Sequence, residues 1–302
     1  MRILITGGTG MIGQRLAELL IDGGHDVALL TRDPAKSSHF RLFGWDPAAG
    51  TIDPAALPYA DCIVNLAGSN VAEGKWTTAR KQEILRSRLD GLELLQRELA
   101  KGGHHVHTLL SASAIGIYGD RGDELLHENS PTAAPGDDFL ADVVLQWEAA
   151  ARAIEAPGLR VVLPRIGIVL SPEGGALVPI AKTVRIGVGA PLGSGRQYMS
   201  WVHLDDLCRL LVQMLRDELW QGVYNAVAPH PATNQEFTET LAQVMHKPLV
   251  LPKVPAFGLK LAMGEMSEIV LGSQRVSADK VLSQGFQFEF ATLRAALESF
   301  YE

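Results

Sequence analysis

The chain opens with a short apolar run, Ile3 to Ile5, followed by a knot of glycines and then an amphipathic stretch. From Met11 to Ile21, positions Ile12, Leu16, Leu19 and Leu20 fall on one helical face, and Gly23-Gly24 ends the pattern. This predicts a first strand-loop-helix unit. DVALLT (Asp26 to Thr31) and CIVNLAG (Cys62 to Gly68) read as further buried strands. Lys75 to Leu99 is helical in period, with Leu85, Leu89, Leu92, Leu95 and Leu99 three and four residues apart. HTLLSASA (His107 to Ala114) predicts a strand, Asp142 to Ile154 a helix, and RVVLPRIGIVL (Arg160 to Leu170) one more strand. Strands alternating with helices over short connections predict an α/β fold of Rossmann type, a doubly wound parallel sheet covered on both faces.

The rhythm changes after Leu170. SPEGGALVP and GVGAPLGSGRQ are rich in Gly and Pro, WVHLDDLCRLLVQMLRD reads as a strand end running into a helix, and VYNAVA as another strand. From Pro229 the pattern is mostly helical. The expected organisation is a nucleotide-binding core over 1–170, with 199–228 returning to it, and a smaller carboxyl-terminal substrate lobe from 171–198 and 229–302.

Composition narrows the function. The 302 residues are 47% hydrophobic, enough for a large core, and the formal charge is −7. Basic residues are scattered rather than clustered, which points away from nucleic acid and membrane surfaces and towards a small-molecule ligand. Two cysteines, Cys62 and Cys208, are too few and too far apart for a disulfide framework or a metal cage, so both are expected to be core thiols and no metal site is expected. Met1 leads almost directly into a strand pattern without a charged leader or apolar h-region, which predicts a cytoplasmic location. Nothing in the sequence speaks to oligomeric state.

The glycines carry the first chemical signal. Gly8, Gly10 and Gly13 satisfy G-x-G-x-x-G, and Gly7, Gly10 and Gly13 the wider G-x-x-G-x-x-G. Between a strand and a helix, such a loop lets the backbone approach a pyrophosphate resting on the helix N-H groups, here those around Met11 and Ile12. A NAD-preferring site places a carboxylate at the end of the second strand. Here that strand ends in Thr31 and Arg32, a hydroxyl and a guanidinium suited to a 2'-phosphate, so NADP(H) is the expected cofactor; Asp33 is the acidic alternative if the register slips by one.

TGGTGMIG, NLAG, SASAIGIYGD and SWVHLDD, in this order, resemble the extended short-chain dehydrogenase/reductase superfamily. NVAEGKW, the pairing of SASAIGIYGD with QWE, GAPLGSGRQYMSWVHLDD and GEMSEIVLGSQRV are similar to its atypical epimerase-family branch, the YfcH-type proteins, over essentially the whole chain. The resemblance selects Gly7, Gly10 and Gly13 as the working glycines, with Gly8 as an extra flexible position. It implies hydride transfer for reduction or epimerisation on a small carbonyl or sugar-like substrate. It also implies cofactor contacts from Leu66, Ala67, Gly68, Glu83, Arg88 and Val169. Spaced five apart, Glu83 and Arg88 are not an ideal helical pair, which leaves each free for a ligand.

The superfamily's catalytic pair, Tyr-x-x-x-Lys, is missing. Aligned on Glu148, the two positions hold Leu140 and Val144, neither of which carries a proton. Three residues remain as catalytic candidates. Ser113 matches the strand-end Ser that bonds the substrate oxygen once Gly116 is allowed as an insertion. Tyr118 offers a phenol, although its superfamily counterpart is mostly structural. His203, beside Asp205 and Asp206, could relay a proton; the favoured reading is that Asp205 or Asp206 serves the positive end of the following helix. Arg196 and Gln197 sit in a glycine-rich loop and could reach the substrate or simply face solvent. Arg165, a charge on an apolar strand, needs a buried partner. The alternative function is a non-catalytic NADP(H)-binding sensor.

Overall fold

The computed structural model describes residues 1–35 and 38–302. The chain enters through β1 (Arg2–Thr6), α1 (Met11–Asp22), β2 (Asp26–Thr31), β3 (Arg41–Asp46), β4 (Thr51–Ile52), α2 (Ala56–Tyr59) and β5 (Cys62–Asn65). It continues through α3 (Thr78–Leu99), β6 (Thr108–Ser111), β7 (Ser113–Ala114), β8 (Leu125–Leu126), α4 (Phe139–Arg152) and β9 (Arg160–Ile166). A nine-stranded sheet runs in the order β14-β9-β6-β5-β1-β2-β3-β4, where β14 is Gly222–Ala226 and β7 also pairs with β9. All pairings are parallel except β3 with β4.

Alternation along β1 sends Ile3 and Ile5 to one face, where they meet Leu16 and Leu20 of α1 and Leu207 and Leu211 of α6 (Leu204–Arg216). Leu4 points to the other face and joins Ile63, Leu109, Leu92, Leu95 and Trp147, the last three from α3 and α4. Burying each such side chain contributes roughly 1.5–3 kcal/mol, so the two helical layers fix the sheet's register from both sides.

Past β9 the chain forms β10 (Ile168–Ser171), β11 (Gly174–Gly175), α5 (Leu177–Arg185), β12 (Tyr198–Met199) and β13 (Trp201–His203). After β14 come β15 (Ala232–Thr233), α7 (Asn234–Val244), α8 (Ala256–Met263), α9 (Glu268–Leu271), β16 (Arg275–Val276), α10 (Asp279–Ser283) and α11 (Leu293–Tyr301). A third core of Leu170, Leu177, Val184, Trp201, Phe237, Leu241 and Leu297 holds α5, α7 and α11 to the small sheet β11-β10-β13.

Several boundaries differ from the periodicity. RVVLPRIGIVL is two strands in two sheets, because the chain crosses at Gly167; a Cβ there would lie 2.5 Å from the Ser200 carbonyl oxygen. HTLLSASA likewise breaks at Ala112 into β6 and β7. α3 starts at Thr78 rather than Lys75, since the Thr77 side chain accepts the Arg80 N-H and caps the helix. α4 starts at Phe139 rather than Asp142, capped in the same way by Asp138. β3 is absent from the periodic reading, although Phe43 and Trp45 alternate inward along it. Both cysteines are buried thiols, and burial pushes that of Cys62 up to about 11.

Candidate dinucleotide cleft

β1 lies between β2 and β5, the point where the strand order reverses and the connections leave towards opposite faces. In doubly wound sheets, the crevice at the carboxyl ends of these strands takes the ligand. Gly7 turns the chain there with φ +68°, and a Cβ on it would lie 2.8 Å from the Leu66 carbonyl carbon. Gly10 N-H closes the loop on the Gly7 oxygen at 3.0 Å. Gly13 lets α1 press against the loop, since its Cβ would be 2.5 Å from the same oxygen. Gly8 is constrained by contact rather than flexible: its φ is ordinary, and a Cβ would meet Leu29 Cδ2 at 2.5 Å. Gly10 caps α1 without a side-chain acceptor, and the first turn holds no acidic residue. The N-H groups of Met11, Ile12 and Gly13 lack intrahelical acceptors and sit at the positive end of the helix dipole.

A polar ladder crosses the strand ends beneath this loop. RILIT, CIVN and TLLS each end in a short polar residue, and Thr6, Asn65 and Ser111 stand in register. Thr6 Oγ1 donates to Asn65 Oδ1 at 2.7 Å, and Asn65 Nδ2 to Ser111 Oγ at 3.0 Å. Thr6 Oγ1 also accepts the N-H groups of Leu66 and Ala67, both at 3.2 Å. The turn Leu66-Ala67-Gly68 is thereby held over the glycine loop. The sequence carried this signal as one polar residue closing each apolar strand, and the motif reading passed over it.

At the end of β2, Thr31 Oγ1 accepts the Asp33 N-H at 3.2 Å. Arg32 is exposed at the tip, without an ion-pair partner among the described residues. On α3, Glu83 is exposed and pairs with Arg80 at 2.7 Å, so it is not free in the way its spacing from Arg88 suggested. Arg88 is different. Its guanidinium lies half-buried across Gly68, where a Cβ would be 3.1 Å from Cζ, and 5.1 Å from the Trp147 ring. Its Nη1 donates to the carbonyls of Ile84 at 2.9 Å and Ser69 at 3.2 Å, with no carboxylate partner among the described residues. Desolvation, aided by the positive charge of Arg80, pushes it down to about 10. Val169 lies on β10, opposite Val202, with its carbonyl turned towards Gly175. Met11 packs against the same hairpin at Gly174.

The catalytic candidates separate in space. Leu140 is half-buried beside Gly116 and Val144 is buried, so aliphatic carbon fills the positions of the missing pair. Ser113 Oγ donates to Glu148 Oε1 at 2.7 Å. Arg165 grips the same carboxylate through Nε at 2.8 Å and Nη2 at 3.1 Å, which supplies the partner its sequence position demanded. Desolvation works against the Glu148 charge, yet Arg165, Ser113 and Arg152 hold its carboxyl below the usual range. An ionised Glu148 accepts the hydrogen bond of the Ser113 hydroxyl, which leaves Ser113 only lone pairs to offer a ligand.

Tyr118 is fully buried, donating to Asn225 Oδ1 at 2.7 Å and accepting from Arg165 Nη1 at 2.9 Å. Its hydroxyl is spent within the protein, and burial raises its pKa. The geometry makes Tyr118 structural. His203 caps α6, with Nδ1 accepting the Asp205 N-H at 3.0 Å, and its ring stacks between Phe290 and Phe300 at 3.9 and 4.6 Å. Because Ser299 Oγ donates to the Ala296 carbonyl, His203 Nε2 is the donor to Ser299. That fixes a neutral imidazole, and desolvation lowers its pKa. Asp205 and Asp206 both stand in the first turn of α6, where their charges meet the positive end of the helix as expected; His203 supplies the side-chain cap, and Asp206 also accepts the N-H groups of Glu289 and Phe290. Arg196 is exposed. Gln197 is buried and committed to the carbonyls of Leu192 and Val270, both at 3.0 Å, so it ties its loop to α9 instead of facing a ligand.

A doubly wound sheet with an open glycine loop at its reversal point defines a dinucleotide-binding protein of the short-chain dehydrogenase type. The model of the NAD dependent epimerase/dehydratase family matches residues 3–226, and a domain of unknown function, DUF1731, matches residues 254–300. The chain belongs to the NAD dependent epimerase/dehydratase family. It is 38% identical to the epimerase family protein MT2273 of Mycobacterium tuberculosis, over 98% of this chain and 96% of the relative. It is 34% identical to the mouse epimerase family protein SDR39U1, over 99% of each. Among solved structures, human SDR39U1 with NADPH superposes with a TM-score of 0.90 at 33% identity, covering 100% of this chain and 99% of that one. A Thermus thermophilus UDP-glucose 4-epimerase with NAD, at 20% identity and a TM-score of 0.73, shares the fold. No helix among the described residues is long and apolar enough to cross a membrane.

Proposed function

We propose that this chain binds NADP(H) in the β1-β2-β5 cleft and acts as an oxidoreductase or epimerase on a small carbonyl or sugar-like substrate. The observation that carries the reading is Arg88, a guanidinium pressed against the Gly68 turn, desolvated and without a carboxylate partner among the described residues. Such a charge is costly unless an anion completes it, and a dinucleotide on the glycine loop brings phosphates to this turn. Arg32 at the tip of β2 answers a 2'-phosphate, and the N-H groups of Met11, Ile12 and Gly13 a diphosphate. The solved relative with NADPH supports the same choice.

When bound, the nicotinamide would accept or donate hydride. The chain's contribution is position: Ser113, its proton held by Glu148, accepts a hydrogen bond from a substrate hydroxyl, and Leu140 and Val144 exclude water. With no proton-carrying side chain at those two positions, the geometry also favours a second reading, a non-catalytic NADP(H) sensor.

Equilibrium titration tests the cofactor. NADPH should bind more tightly than NADH, and Arg32→Ala should weaken NADPH by roughly 10- to 150-fold, the loss of about 1.5–3 kcal/mol of charge-assisted bonding, with little effect on NADH. Equal affinity for the two cofactors would refute the reading. A screen for NADPH oxidation with carbonyl and sugar-nucleotide substrates separates enzyme from sensor, and complete inactivity with tight binding selects the sensor.

A further inference from the structure

Two lobe segments, 176–204 and 240–264, contain six Lys or Arg residues (Lys182, Arg185, Arg196, Lys247, Lys253 and Lys260) and no Asp or Glu. The chain as a whole carries −7, so its remainder carries −13. Folding brings the two segments together, which the scattered basic residues of the linear sequence conceal. Gly193 N-H bonds the Val254 carbonyl at 2.8 Å and Val254 N-H the Pro191 carbonyl at 2.9 Å. Lys253 Nζ reaches the Ser194 carbonyl at 2.7 Å. A Cβ on Gly189 would touch both Val184 and Leu249.

The same segments concentrate exposed apolar side chains. Of the twelve large hydrophobic residues exposed among those described, seven lie here: Val178, Ile186, Val188, Val250, Leu251, Phe257 and Leu261. Phe257 and Leu261 are 75% and 86% exposed and stand one helical turn apart on α8, a helix without a single buried residue. α8 therefore presents its side chains to solvent. Exposed apolar side chains on two contacting segments of net charge +6, with Glu265 just beyond α8 paired to Lys81, match the chemistry of an anionic bilayer surface, which takes the apolar tips among its headgroups and the cations against its charge. A grooved protein partner would have to be shaped around these tips, whereas lipid deforms to accept them.

We propose that this face docks the protein onto anionic lipid bilayers, with Phe257 and Leu261 entering the headgroup boundary. The inference is independent of the cofactor reading. Full-length protein is sedimented with phosphatidylcholine vesicles, with and without phosphatidylglycerol, while NADPH titration and circular dichroism monitor the fold. Binding should require phosphatidylglycerol and weaken in high salt. Phe257→Ser with Leu261→Ser should reduce it about tenfold or more with cofactor affinity and helicity unchanged. Lys253→Gln with Lys260→Gln should weaken it and flatten its salt dependence. Any of four results overturns the proposal: no sedimentation with either vesicle, equal binding to both, retention of binding by the Phe257/Leu261 variant, or self-association by light scattering that this variant abolishes.

Discussion

Arg88→Met separates a ligand-binding guanidinium from a structural one. Depression of the Arg88 pKa to about 10 reflects a charge that the folded protein solvates poorly. At about 1.4 kcal/mol per tenfold change in acidity, it corresponds to roughly 3 kcal/mol of strain on the charged form. Methionine keeps the apolar stem and removes that charge, and with it the guanidinium's contact with the Trp147 ring, worth about 0.5–1 kcal/mol. It also removes the bonds to the Ser69 and Ile84 carbonyls, each worth about 0.5–1.5 kcal/mol net. The balance leaves the unliganded variant within about 1.5 kcal/mol of the parent. Cofactor binding moves the other way: loss of a charge-assisted phosphate contact should weaken NADPH by about tenfold or more. Urea denaturation of the unliganded protein, read at constant m-value, measures the first quantity, and fluorescence titration the second. A variant that loses stability while keeping its NADPH affinity would show that Arg88 serves the fold, and would refute the reasoning.

Two further outcomes follow from the buried polar groups. Glu148→Ala strands the Arg165 guanidinium, whose side chain is 5% exposed, and should cost about 3–5 kcal/mol in urea denaturation, whereas Glu148→Leu with Arg165→Met should recover most of it; equal cost for single and double variants would contradict this. His203 is neutral in the folded state with a lowered pKa, while the unfolded chain takes the proton near its ordinary value of about 6.5. Stability should therefore be level above that value and fall as pH drops below it. His203→Asn, which can still cap α6, should flatten that part of the profile in denaturant titrations at a series of pH values; an unchanged slope would show that another group is responsible.

The core was legible where one face or one run decides the structure. DVALLT is a strand from Asp26 to Thr31 as its apolar run requires, and α1 starts at Met11 after the glycines. Periodicity failed where a close backbone crossing sets the boundary. Nothing in RIGIV announces that Gly167 passes against Ser200, a residue distant in sequence. Within the site, the glycine loop was legible because part of its requirement is local: the φ of +68° at Gly7 and the close approach of Gly13 to the Gly7 oxygen fall within one motif. The commitments of Tyr118, Gln197 and His203 were not, because each is made to residues brought close only by the fold: Asn225, Val270 and Ser299. Glu148 stood in the sequence as an alignment anchor, and its grip on Ser113 and Arg165 belongs to the packing of α4 against β9.

The central claim is a place for NADP(H), and the crystal structure of the protein soaked with NADPH tests it most directly. The account predicts the 2'-phosphate within hydrogen-bonding distance of Arg32, the diphosphate on the N-H groups of Met11 to Gly13, and Arg88 meeting the cofactor at the Gly68 turn. Density for the cofactor in another cleft, or a 2'-phosphate in solvent away from Arg32, would contradict it.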